Sequence, residues 1–168
     1  DTWQQAPIDY YSTRVVGTEN YEETAGSDIV VITAGVPRKP GMSRDDLIST
    51  NANIVKTVTG SILKTSDNPI IIVVSNPLDV MTYAAHQSSG LSDKRVFGMA
   101  GILDTARYRA FLSTELNVSP KDIQAVLMGG HGDTMVPLPR YTTVAGIPVL
   151  EMIDPEKLNA IVERTKKG

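Results

Sequence analysis

A histidine, a carboxylate and a guanidinium are the minimum set for moving a proton while holding a small acid, and two short motifs of this chain supply them. His131 lies in Gly129-Gly130-His131-Gly132-Asp133, and Asp104 and Arg107 lie in Asp104-Thr105-Ala106-Arg107. Glycines on both sides of His131 free its backbone from regular geometry and let the ring project into a cleft. Imidazole is the side chain best suited to acid–base work near neutral pH. Asp104 and Arg107, three positions apart on a helix, share one face. Two more cations, Arg38 and Arg44, sit in the segment Val36-Pro37-Arg38-Lys39-Pro40-Gly41-Met42-Ser43-Arg44, which leads into a helix. A helix N-terminus favours anions, and arginine suits bidentate recognition, so both read as carboxylate or phosphate clamps. Asn76, in Ser75-Asn76-Pro77-Leu78-Asp79, offers a hydrogen bond to a ligand. Each feature alone has a plainer reading: a structural histidine, a surface ion pair, a solvated basic loop, an Asn-Pro turn. His86, inside an amphipathic helix, has only the plain one. The ensemble points to chemistry, because its members all fall at strand ends, loops or helix starts.

Those positions are set by short apolar runs alternating with helical patterns. Thr13 to Val16 reads as a brief strand ended by Gly17. Asp28 to Thr33 and Pro69 to Ser75 are continuous apolar runs, which suit strands buried on both faces of a parallel sheet. Between them Leu47, Asn51, Ile54, Val55, Val58, Ile62 and Leu63 fall on one stripe of a helix over about Arg44 to Lys64, opened by a Ser43/Asp46 capping box. A second helix is expected from Leu78 to Ser88, stopped at Gly90, and Arg95 to Gly98 reads as another strand. Beyond them come a helix over Asp104–Leu116, a strand over Ile123–Met128, a hairpin around Ala145-Gly146, and a closing helix begun by Asp154-Pro155. Strand, helix, strand, helix, strand is the order of an open α/β sheet, which binds ligands at the carboxyl ends of its strands.

Composition narrows the function classes. The chain has 168 residues, 41% hydrophobic and 21% charged, with a net charge of −3. That is ordinary for a globular protein and gives no basic patch for nucleic acid. Its longest aliphatic run, Ile70 to Val74, is too short to span a bilayer. The first residues do not read as a signal peptide. With no cysteine and two histidines, neither a disulfide framework nor a structural metal is expected, and the setting expected is cytoplasmic.

Taken in order, the segments Ala34–Arg44, Ser75–Asp79, Leu103–Arg107 and Gly129–Asp133 resemble the lactate and malate dehydrogenase superfamily, specifically its lactate-dehydrogenase-like bacterial malate dehydrogenases. The resemblance implies a Rossmann-type doubly wound parallel sheet over residues 1–102, followed by the start of an α+β substrate domain over residues 103–168. It implies reversible hydride transfer between malate and NAD, giving oxaloacetate. In that scheme His131 exchanges the proton, Asp104 fixes its tautomer, and Arg107 grips the carboxylate beside the reacting carbon. Arg44 polarises the carbonyl and Asn76 hydrogen-bonds it, while Asn51, Val74, Ser75 and Asn76 line the cofactor site. Arg38 would meet malate's second carboxylate; lactate enzymes of this kind commonly carry glutamine there, and lactate dehydrogenase is the alternative activity. A homodimer or homotetramer, with no nucleic-acid or membrane partner, completes the expectation.

One part of the pattern is missing. Family members open with a strand, a Gly-x-Gly-x-x-Gly turn, a helix and a second strand ending in an acidic residue. None of these precedes Thr13 here. The resemblance therefore implies an internal piece of such an enzyme, inactive alone, with strands 1 and 2 of the 3-2-1-4-5-6 sheet absent. The other reading is a non-catalytic truncated remnant that binds a partner through its exposed edges.

Overall fold

The computed structural model describes residues 2–37, 39–132 and 134–167, with Thr2, Trp3 and Arg44 described by backbone alone. A short helix, α1 (Thr2–Asp9), comes first. Three parallel strands then form one sheet in the order β1-β2-β3: β1 (Ile29–Ile32), β2 (Ile70–Val73) and β3 (Val96–Gly98). Ile29 pairs with Ile70 and Ile71 with Val96, so the carboxyl ends of all three strands share one edge. The crossovers are α2 (Arg44–Ile62) and α3 (Leu78–Ser89). The expected capping box is present: Ser43 Oγ accepts from the Asp46 N–H, and the Asp46 carboxylate accepts from the Ser43 N–H and hydroxyl. Gly90 ends α3 in the left-handed conformation at φ 67°, where a β-carbon would be strained.

The apolar stripe of α2 packs where the sequence places it. Val55 and Ile62 join Ile32, Ile71, Val73, Leu78, Met81, Ala85 and Val96 in one core. The two faces of the sheet are covered unequally among the described residues, however. Ile71 and Val73 are fully buried, whereas Ile29 and Val31 are 59% and 55% exposed. The expectation of burial on both faces is thus corrected for β1: both described crossover helices pack on the side of Ile71 and Val73, while Ile70 and Ile72 of β2 are half-buried on the other side. Thr13 to Val16 is also no strand. It lies exposed with no described neighbour to share ladder hydrogen bonds, and a strand is defined by its partner.

The remaining residues build a second core. Helix α4 (Gly101–Leu116) leaves directly from the end of β3, and α5 (Pro155–Lys167) packs against it. Asp154 caps α5 as expected, its Oδ1 accepting from the Glu156 N–H at 2.9 Å. The guanidinium of Arg164 lies 3.9 Å above the Phe111 ring centre, fastening α5 to α4. The expected strand over Ile123–Met128 is two strands: β4 (Ile123–Gln124) and β5 (Leu127–Gly129). They part at Ala125-Val126 because each half has its own partner. β5 pairs with β6 (Met135–Pro137), and β4 pairs with β7 (Thr143–Val144). β7 turns into β8 (Ile147–Pro148) through Ala145 and Gly146, both at positive φ, the requirement of a tight hairpin that follows the strand twist. Tyr108, Leu112, Ile123, Leu127, Met135, Val144, Val149 and Leu158 fill the core between these elements.

Candidate active site

The β5–β6 hairpin carries the histidine, and glycine makes its bend possible. Gly129 sits at φ 83° and Gly132 at φ 111°. A β-carbon on Gly129 would collide with the Thr134 carbonyl oxygen, and one on Gly130 with the Thr134 hydroxyl. The resulting turn aims His131 at the start of α4. There Asp104 stands in the first turn, its side chain only 3% exposed.

Asp104 divides its carboxylate between two partners. Oδ2 lies 2.8 Å from His131 Nδ1, and Oδ1 accepts from Arg107 Nη1 at 3.1 Å. The reading of Asp104 and Arg107 as a mere surface pair fails on this burial. An ionised carboxylate only accepts hydrogen bonds, so His131 Nδ1 must carry the proton and neutral His131 keeps its Nε2 lone pair free. His131 itself is about one-third exposed, with room on two sides. A small cavity of about 60 Å³ is bounded by Val74, Asn76, Leu78, Met99, Leu103 and His131. A larger cleft of about 240 Å³ lies toward Asp79, Thr82, Asp104 and Gly130. Leu78 and Ala100 border both spaces.

The small cavity lies at the carboxyl ends of β2 and β3, where an open α/β sheet takes its ligand. Two buried polar residues fix its rim. The Asn51 amide accepts from the Val36 N–H at 2.8 Å and donates to the carbonyls of Val36 at 3.2 Å and Asn76 at 2.9 Å. Asn51 therefore ties the loop after β1 to the loop after β2, with its amide engaged by backbone rather than open to a ligand. Ser75 makes the same tie through its hydroxyl, which donates to the Ala34 carbonyl. The Val74 N–H extends the ladder to the Ile32 carbonyl at 2.8 Å. Asn76 is exposed at the rim, beside a cis peptide to Pro77.

The structure thus brings together His131, Asp104 and Arg107, sets Asn76 and Val74 beside them, and gives Asn51 and Ser75 bracing positions. Arg44 is the first residue of α2, described by backbone alone, and Arg38 lies outside the described residues. Sequence reading missed the apolar wall of Leu78, Met99 and Leu103, which carries no polar signature. It also gave no role to Asp79. Among the described residues no group of three or more His, Cys, Asp or Glu side chains gathers in a way that could hold a metal. No described helix is long and apolar enough to cross a membrane.

Comparison with known proteins decides the family. Residues 3–98 match the lactate/malate dehydrogenase NAD binding domain, and residues 102–168 match the lactate/malate dehydrogenase alpha/beta C-terminal domain. The chain belongs to the lactate/malate dehydrogenase family. Among relatives in that family, the malate dehydrogenase of Cytophaga hutchinsonii is 68% identical over all of this chain and 54% of its own length. The solved malate dehydrogenase of Salinibacter ruber superposes with a TM-score of 0.88 at 54% identity, over 98% of this chain and 52% of that one. A Plasmodium falciparum malate dehydrogenase solved with NADH gives 0.83 at 38% identity, over 98% of this chain and 53% of that one. The chain spans about half the length of the curated relatives it matches.

Proposed function

We propose that this chain carries the proton-transfer half of a malate dehydrogenase site, working on malate and oxaloacetate with NAD as cofactor. The observation that carries the reading is the Arg107–Asp104–His131 chain of contacts, with an open Nε2 on a ring that lines a small hollow at the carboxyl ends of β2 and β3. In malate oxidation His131 Nε2 takes the hydroxyl proton, and in oxaloacetate reduction it returns it. Asp104 holds the ring in the reactive tautomer and offsets the imidazolium charge. Arg107 keeps N–H groups beyond the one bonded to Asp104, and these grip the carboxylate beside the reacting carbon. Asn76 hydrogen-bonds the reacting oxygen, and Arg44, at the head of α2, polarises it.

The residues present fit the nicotinamide end of a dinucleotide. Val74, Leu78, Met99 and Leu103 give an apolar wall, and the hollow ends on the polar groups of Asn76 and His131. NAD, when bound, supplies the hydride acceptor. We assign residues 1–102 to dinucleotide binding and 103–168 to substrate chemistry. The family resemblance supports a cytoplasmic homodimer or homotetramer.

Arg38 selects the substrate in this reading. Malate brings a second carboxylate, and leaving it buried and unpaired costs several kcal/mol, on the order of an uncompensated ion. Lactate has no such group. Steady-state assay of the native protein carrying Arg38→Gln tests the assignment. Malate turnover falls and lactate turnover rises; a malate-to-lactate preference that does not move refutes it.

A further inference from the structure

One edge of β5 docks on the first turns of α4, and the β5–β6 ladder leaves that edge free to do so. The Leu138 N–H donates to the Val126 carbonyl at 3.2 Å, one rung of the ladder. Rungs alternate between antiparallel strands, so Leu127, opposite Pro137, is a position without one. Proline is tolerated there because no N–H is asked of it. The Leu127 N–H and carbonyl therefore point away from β6 and toward α4. The N–H donates to Thr105 Oγ1 at 3.3 Å. A β-carbon on Gly101 would lie 3.7 Å from the Leu127 carbonyl oxygen, so strand and helix backbones run close. Leu127 is a core residue, only 7% exposed, and without Thr105 its N–H would be an unpaired buried donor.

This contact joins the two pieces of the relay. Thr105 follows Asp104 directly, and Leu127 begins the strand that runs through Gly129 into the turn bearing His131. Among the described residues, the only other hydrogen bond between α4 and residues 127–131 is the His131–Asp104 contact itself. Hollows flank the junction. The cleft of about 240 Å³ is lined by Asp104, an apolar groove of about 490 Å³ by Thr105, and Gly101 and Leu127 border both. Open space on two sides leaves the separation of strand and helix to a directional bond rather than to side-chain packing. We propose that Thr105 is a positioning residue for proton transfer: its hydroxyl fixes β5 against α4 and so holds His131 Nδ1 within hydrogen-bond reach of Asp104. Its action is indirect, through those two side chains. The proposal rests on the reading of His131 as the acid–base group.

Three variants of the native protein test it. Thr105→Val and Thr105→Ala remove the acceptor, the second serving should the first not fold, and Thr105→Ser keeps it. The first readout is the Nδ1–H proton resonance of His131, assigned by its loss in His131→Gln. A proton held between imidazole and carboxylate is deshielded and protected from exchange. The second is the single-turnover rate of oxaloacetate reduction, followed by NADH absorbance in a stopped flow, which separates chemistry from product release. In Thr105→Val and Thr105→Ala the resonance moves upfield or exchanges away. The single-turnover rate falls at least about tenfold, while the NADH dissociation constant stays within about twofold of wild type. Thr105→Ser recovers both resonance and rate. A lowered melting temperature with resonance and rate unchanged means that Thr105 only stabilises the fold, which overturns the proposal; so does a Thr105→Ser that fares no better than Thr105→Ala. A wild-type protein that lacks malate dehydrogenase activity, but whose Nδ1–H resonance still responds to loss of the acceptor, sinks the functional reading and leaves the positioning role standing.

Discussion

Replacing Asp104 with asparagine changes one atom type and tests the whole relay. The guanidinium of Arg107 only donates, so the asparagine carbonyl must turn toward it, 3.1 Å away in the wild type. The amide nitrogen is then left facing His131 Nδ1, and Nδ1 has to accept. The ring proton moves to Nε2, the nitrogen that must be open to take the malate hydroxyl proton. The imidazolium also loses its buried counter-ion at 2.8 Å. Two charges about 4 Å apart interact by about 4 kcal/mol at an effective dielectric of about 20. Desolvation of the carboxylate offsets part of this, leaving about 2–4 kcal/mol, or a rate loss of about 30- to 900-fold. Initial rates followed by NADH absorbance in the native protein read the effect, with malate oxidation expected to fall in that range. Arg107 is 25% exposed and can rehydrate, so the melting temperature should drop by only a few degrees. A loss of activity below about tenfold would refute the tautomer argument.

Three further expectations follow from packing and capping. Gly129→Ala forces a β-carbon into the Thr134 carbonyl at φ 83°, displacing His131; kcat/KM should fall at least about tenfold, well beyond any change in NADH affinity. Asn51→Leu leaves the Val36 and Asn76 backbone groups unpaired, which costs about 2–4 kcal/mol by thermal or urea unfolding and raises the KM for NADH as the rim loosens. Ser43→Ala removes the N-cap of α2 and lowers stability by about 1 kcal/mol in the same assay. The Ser43 hydroxyl and backbone N–H hold the Asp46 carboxyl below its usual range. The stability that this adds is present above the ordinary aspartate range and is lost as pH falls through the depressed value. The stability gap between wild type and Ser43→Ala should therefore narrow as pH falls below about 4, without closing, because the bond from the Asp46 N–H to the Ser43 hydroxyl does not titrate.

What the sequence made legible was local. Ser43 and Asp46 announce a capping box because its two hydrogen bonds close within one turn, and Ala145-Gly146 announces a hairpin because the turn itself demands positive φ. The strands at Ile29, Ile70 and Val96 were readable because apolar runs between helical stripes leave few alternatives. Failures came where a partner decides the outcome. Thr13–Val16 has strand composition but no described neighbour, and Ile123–Met128 splits because its two ends pair with different strands. The apolar runs of β1 and β2 also could not say which faces would be covered. At the site, the motifs named His131, Asp104 and Arg107, yet the burial of Asp104 that separates a relay from a surface pair is a property of packing. Asn51 was read as lining the cofactor site; that its amide is engaged by Val36 and Asn76 depends on contacts far apart in sequence.

In the proposed function His131, oriented by Asp104, carries the proton in malate oxidation. The most direct measurement is NAD-dependent malate oxidation by the native protein with and without His131→Gln, alongside NADH binding by fluorescence. Turnover by the wild type, a loss of about 10²–10⁴-fold in the variant, and NADH affinity within a few-fold of wild type are expected. A wild-type protein inactive on malate and oxaloacetate, or a variant that keeps most of its rate, contradicts that function.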